Sequence, residues 1–143
     1  MFKIDSSIKK ETIIHEGREF IFLCHTNQIC EGNGYQFEFD GDSDKQIALF
    51  RIKGNLYCLY NVCPHRHTHL IYKGIINEGE IICPAHGWTY SLETGRNVNP
   101  QQGIKSLKKY ETIEQNGKIF IEKPLFDIPK WRTGNYSNII ENE

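Results

Sequence analysis

The sequence has 143 residues, 17 of them basic and 18 acidic, for a formal net charge of −1. That length suits one domain able to bury a sizeable core, and near-neutral charge gives no footing for nucleic acid or an anionic membrane surface. No apolar run approaches the roughly 18 residues of a membrane span, and the start lacks the apolar stretch of a secretory signal.

Residues 1–16 show no decisive period. Short runs rich in Ile, Val, Phe and Tyr then follow at 20–24, 35–39, 46–52, 56–60, 79–83, 88–92, 107–113 and 118–122. Gly, Asn, Asp and Pro separate them, and Gly54-Asn55 and Asn116-Gly117 read as hairpin turns because both residue types accept positive φ. Such spacing predicts an all-β fold, an antiparallel sandwich or small barrel. Glu38, Asp40, Asp42 and Asp44 form an acidic patch, read first as a solvated loop and second as a dock for a basic partner. From Pro124 onward, Leu125, Phe126, Ile128, Trp131 and Tyr136 make the tail too apolar for ordinary disorder. It folds back on the domain or packs on a partner. Asn135-Tyr136-Ser137 matches a glycosylation acceptor but has no export signal to give it meaning.

The cysteines are Cys24, Cys30, Cys58, Cys63 and Cys83, an odd number that excludes a complete internal disulfide framework. With no export signal, the expected compartment is reducing and cytoplasmic. Metal chemistry is then the first reading of paired Cys and His. Two segments carry it: Cys63-Pro64-His65-Arg66 and Cys83-Pro84-Ala85-His86-Gly87-Trp88, with seventeen residues between His65 and Cys83. Each follows a predicted strand and offers one thiolate and one imidazole, a donor set that suits iron or zinc. Proline after each cysteine fixes φ and supplies no N–H, as a rigid turn requires. A zinc site of two Cys and two His is the plainer reading. Zinc turns usually give two like ligands at least two residues apart, however, whereas each turn here mixes its ligands. A two-iron cluster, with the thiolates on one iron and the imidazoles on the other, accounts for the mixing better.

On these residues the chain resembles Rieske [2Fe–2S] proteins, in particular Rieske-type ferredoxins and the Rieske domains of ring-hydroxylating oxygenases. The resemblance also takes in Leu70 and Gly74, Leu92-Glu93-Thr94-Gly95, the strand pair before the first loop and the hairpin ending at Glu122. It implies an antiparallel β fold with a small cluster-binding subdomain set in a larger base. It divides the chain into a flank at 1–17, a Rieske domain at 18–123 with cluster loops at about 61–92, and a tail at 124–143. It implies that Cys63 and Cys83 hold a buried iron, and that His65 and His86 hold an outer one, each leaving a ring nitrogen near solvent. Exchanging two thiolates for neutral imidazoles makes such a cluster less negative and raises its potential above an all-cysteine one. The free imidazole nitrogens imply a potential that falls with pH in the alkaline range.

High-potential relatives in cytochrome bc complexes place a serine two residues after the second histidine and a tyrosine four after it, both donating to sulfur. Here Trp88 and Tyr90 hold those places, and only Tyr90 has a hydroxyl. The disulfide between the loops of those relatives has no counterpart, since Thr68 and Ala85 stand at its positions. A low-to-middle potential follows. His67 and His69 read as solvated loop residues, with His67 as a ligand the register alternative. Cys24 and Cys58 read as inert buried thiols, Cys30 as exposed, His15 and His25 as unpatterned, and Trp88 as packing on the loops.

The resemblance implies a one-electron carrier and no catalytic residue. It would take electrons from a flavin-dependent reductase and pass them to an oxygenase or other redox protein. The 20 or so residues after the domain contain no His, which leaves no place for an oxygenase's mononuclear iron. The alternatives are a small Rieske subunit of a larger oxidoreductase, favoured if the tail packs on a large subunit, and a zinc-binding structural module.

Overall fold

The computed structural model describes residues 1–5, 11–64, 67–85, 87–102 and 105–126. Its strands are β1 (Phe2–Ile4), β2 (Thr12–His15), β3 (Arg18–His25), β4 (Gly34–Phe39), β5 (Asp42–Ile52), β6 (Asn55–Tyr60), β7 (Ile75–Asn77), β8 (Glu80–Ile82), β9 (Thr89–Ser91), β10 (Lys109–Tyr110), β11 (Thr112–Gln115) and β12 (Lys118–Glu122). The only helical pieces among the described residues are single 3-10 turns at Thr26–Gln28, Ile71–Lys73 and Pro100–Gln102. The all-β expectation holds.

Hairpin turns explain most of the connectivity. Glu16-Gly17, Asp40-Gly41, Lys53-Gly54, Glu78-Gly79 and Asn116-Gly117 all have positive φ at both residues. That is the two-residue turn whose twist matches the flanking strands. The β5–β6 turn is thus Lys53-Gly54, one residue earlier than the Gly54-Asn55 read from sequence, because Asn55 already pairs with Ile52. The acidic patch lies on the ends of β4 and β5 and the turn joining them. Part of it is paired: Lys3 Nζ lies 3.8 Å from Glu38, and His69 Nε2 lies 4.0 Å from Asp44.

Three sheets form: β1-β4-β5-β6-β10, β11-β12-β3-β2 and β7-β8-β9. The first is a partition with an apolar core on each face. In β5, Ile47 and Leu49 enter one core, while Ala48 and Phe50 enter the other. Strand side chains alternate faces, so an unbroken apolar run marks a strand buried on both sides. The first core joins this sheet to the second through Leu23, Cys24, Phe37, Cys58, Tyr110, Ile119 and Ile121. The other joins it to the small third sheet through Leu59, Ile71, Ile81, Tyr90, Leu92 and Leu107.

Three elements differ from the sequence reading. The N-terminal stretch contributes β1, parallel to β4 with Phe2 stacked on Phe37 at 4.4 Å, and β2, antiparallel to β3. β7 lies where no run was read, and Gly79 belongs to the turn before β8. The run at 107–113 is two strands, with β10 in the first sheet and β11 in the second. The start of the tail folds back on the domain: Phe126 lies 5.2 Å from Phe39, 6.2 Å from Tyr60 and 6.3 Å from Tyr110, centroid to centroid. Ile128, Trp131 and Tyr136 lie outside the described residues.

Candidate metal centre

Cys63 follows β6 and Cys83 follows β8, so each turn leaves a strand that contributes to the second core. Both cysteines are fully buried and neither is in a disulfide. The two turns share one hydrogen-bond pattern. The Cys63 N–H donates to the Thr68 carbonyl (2.8 Å), and the His67 N–H donates back to the Cys63 carbonyl (2.7 Å). The Cys83 N–H donates to the Trp88 carbonyl (2.8 Å), and the Gly87 N–H donates back to the Cys83 carbonyl (2.8 Å). The residue four after each cysteine has positive φ, 59° at His67 and 75° at Gly87. His67 therefore occupies a left-handed position that glycine fills in the twin turn, at a steric cost glycine does not bear.

The two turns sit on one core, which holds Cys63, Cys83 and Tyr90 together. The Tyr90 hydroxyl is buried and finds no hydrogen-bond geometry among the described residues, and the same is true of the Thr68 hydroxyl. Burial, first, and then the charge and proximity of Cys63 and the charge of Cys83 hold the Tyr90 phenol above its ordinary pKa. Cys63 acts on that hydroxyl through its charge and a side-chain contact that falls short of regular hydrogen-bond geometry. Buried polar groups are rarely left so. Two buried thiols outside any disulfide, on matching turns and sharing a core with Tyr90, fit an inorganic group that takes thiolates and accepts hydrogen bonds. His65 and His86 lie outside the described residues.

Two amide side chains missing from the sequence reading brace these turns. Asn61, fully buried, ties the first turn to β5 and to the 3-10 turn that follows. Gln102 accepts from the Thr89 N–H (3.1 Å) and donates to the Gly87 carbonyl (3.3 Å) beside the second. Nothing in the sequence marks either: an Asn two residues before a cysteine shows its burial only in the structure, and Gln102 lies more than a dozen residues downstream. Trp88 is half-buried against the second core, as read. Cys24 and Cys58 are buried thiols made harder to ionise by desolvation, Cys24 to about 12. Cys30 is exposed.

The Rieske [2Fe-2S] domain profile matches residues 19–111. The chain is 23% identical over 103 residues to the ferredoxin component of the alkene monooxygenase system of Xanthobacter autotrophicus, covering 72% of this chain and 80% of that one. It is 25% identical to the 3-phenylpropionate/cinnamic acid dioxygenase ferredoxin subunit of Shigella flexneri, covering 73% and 93%. Among solved structures, a chain from an oxygenase and ferredoxin complex of carbazole 1,9a-dioxygenase superposes with a TM-score of 0.63 at 30% identity. That match covers 77% of this chain but only 30% of the other. With the profile running from β3 to the corner between β10 and β11, the chain belongs to the Rieske [2Fe-2S] domain family, carries that family's cluster, and is an electron-transfer protein.

Proposed function

We propose that this chain is a one-electron carrier of the Rieske-ferredoxin type, with Cys63, His65, Cys83 and His86 as the cluster ligands. The twin cysteine turns carry the reading. They present two buried thiolates from matching backbone frames, and His65 and His86 follow their cysteines by two and three residues. The bound cluster supplies a centre that takes up and returns one electron without exchanging ligands. The protein's part is to hold the thiolates in a dry core, to fix the turns through backbone hydrogen bonds, and to keep Tyr90 within reach of Cys63. The donor in this reading is a flavin-dependent reductase, and the acceptor is an oxygenase or other redox protein, the latter in keeping with relatives that are ferredoxin parts of a monooxygenase and a dioxygenase. A cytoplasmic setting is in keeping with five cysteines of which none is in a disulfide. Among the described residues no helix is long and apolar enough to cross a membrane.

Replacement of Cys63 by Ala tests the ligand set. It is expected to abolish bound iron, acid-labile sulfide and visible absorbance while the β-sheet circular dichroism persists. Retention of wild-type iron and colour would remove Cys63 from the set, and a colourless wild type containing zinc would favour the structural-module reading.

A second reading starts from the carbazole dioxygenase match: identity is higher with that chain, 30%, than with the alkene monooxygenase ferredoxin, 23%, and the match covers 30% of it, as for a Rieske unit within a larger oxidoreductase. In that reading the chain is a small Rieske subunit of a larger oxidoreductase. Gel filtration of a native lysate separates the two, since a free carrier elutes at its own 16.7 kDa and a subunit elutes with its complex.

A further inference from the structure

Asn61 is the last residue before the first cysteine turn whose side chain is both polar and fully buried. Its Nδ2 donates to Gln46 Oε1 (2.8 Å) and to the His69 carbonyl (3.2 Å), and its Oδ1 accepts from the Tyr72 N–H (2.9 Å). Its own N–H donates to the Gln46 carbonyl (3.1 Å). One side chain therefore joins the start of the turn, its far end at His69 and the 3-10 turn beyond it.

Gln46 anchors this brace in the partition sheet. It is itself 2% exposed. Its Oε1 also accepts from Gln36 Nε2 (2.7 Å) on β4, and its Nε2 donates to the Ser43 carbonyl (2.9 Å). Asn61 and Gln46 each donate and accept at once, which an amide side chain can do and neither an ionised carboxylate nor an apolar side chain can. Buried polar networks of this kind, when fully satisfied, fix one conformation. The second turn is held differently, by the half-buried Gln102 acting from outside the core.

We infer that Asn61, seated on Gln46, is a positioning residue for the cluster: it fixes the frame of the first cysteine turn, and with it the ligand geometry and the potential, without touching the metal. The inference rests on the ligand reading given above. Residues behind metal ligands orient them, and their loss typically weakens metal retention.

The test is Asn61→Ala in the cluster-loaded protein, with Gln46→Met removing only the anchor. Expected in Asn61→Ala are shifted and broadened electron paramagnetic resonance lines of the reduced protein, a displaced reduction potential, and iron loss to a chelator about 10–100-fold faster than in wild type. Gln46→Met should move the same readouts in the same direction by less. Wild-type resonance lines and potential in both variants would overturn the inference, even if both melt earlier. Should Asn61→Ala yield no loaded protein, Gln46→Met decides on the same readouts. Failure of the ligand reading looks different, as iron retained in Cys63→Ala.

Discussion

Tyr90 is the side chain whose removal reads most directly on the site. Its hydroxyl is buried, with no hydrogen-bond geometry to another described residue, in the core it shares with both cysteines. A hydrogen bond from it to sulfur would favour the reduced, more negative state. One such bond is worth about 1 kcal/mol, equivalent to about 40 mV for a single electron on the scale of 59 mV per tenfold. Tyr90→Phe is therefore expected to lower the reduction potential by a few tens of mV with iron content unchanged, as measured by voltammetry. An unchanged potential would remove Tyr90 from the account. At this scale the paired motif singles out Cys63 and Cys83 and the family resemblance singles out Tyr90, and the structure places these three in one core. Asn61 and Gln102 were not legible, because an amide looks the same whether it faces solvent or braces a turn. His67 was read as a solvated loop residue. It is half-buried at a positive φ shared with Gly87, and only the backbone of the twin turn shows that.

Among the elements, the third sheet sets the position of Cys83, and Gly74 governs how closely its neighbours pack. A β-carbon added at Gly74 would stand 2.6 Å from the Ile81 side chain and 2.8 Å from the Ile82 carbonyl. Both belong to β8, the strand that delivers Cys83. Gly74→Ala should cost about 1–3 kcal/mol through overpacking, seen as an earlier denaturation midpoint, and should perturb the visible spectrum of the loaded protein. A midpoint and spectrum equal to wild type would contradict the close approach. The strongest runs, in β3 to β6 and in β12, were legible because their apolar side chains fill two cores. β1, β2 and β7 were not, being only three or four residues long, with β2 and β7 largely exposed as well. The split between β10 and β11 was hidden because a strand that turns a corner keeps one apolar pattern across two sheets.

For the whole molecule, the two larger sheets are joined by a charged clamp as well as by their core. Arg51 on β5 makes paired hydrogen bonds to Glu114 on β11, at 2.9 and 2.6 Å, with its side chain only 12% exposed. The Arg51 hydrogen bond holds the Glu114 carboxyl below its ordinary value of 4.5. A carboxyl depressed on folding contributes stability above its unfolded pKa and loses it as pH falls through the folded one. Glu114→Gln should thus cost about 1 kcal/mol at neutral pH, and the difference should close below the ordinary carboxylate range, as followed by denaturant titration at both pH values. A gap that stays constant into acid would assign the effect to something other than this charge. The central claim, an electron carrier built on a Rieske cluster, is tested most directly by coulometric reduction of the purified protein alongside its metal and sulfide content. The account predicts iron and acid-labile sulfide in equal amounts and one electron taken up reversibly per cluster. Protein that holds zinc in place of iron, or takes up no electron, would contradict it.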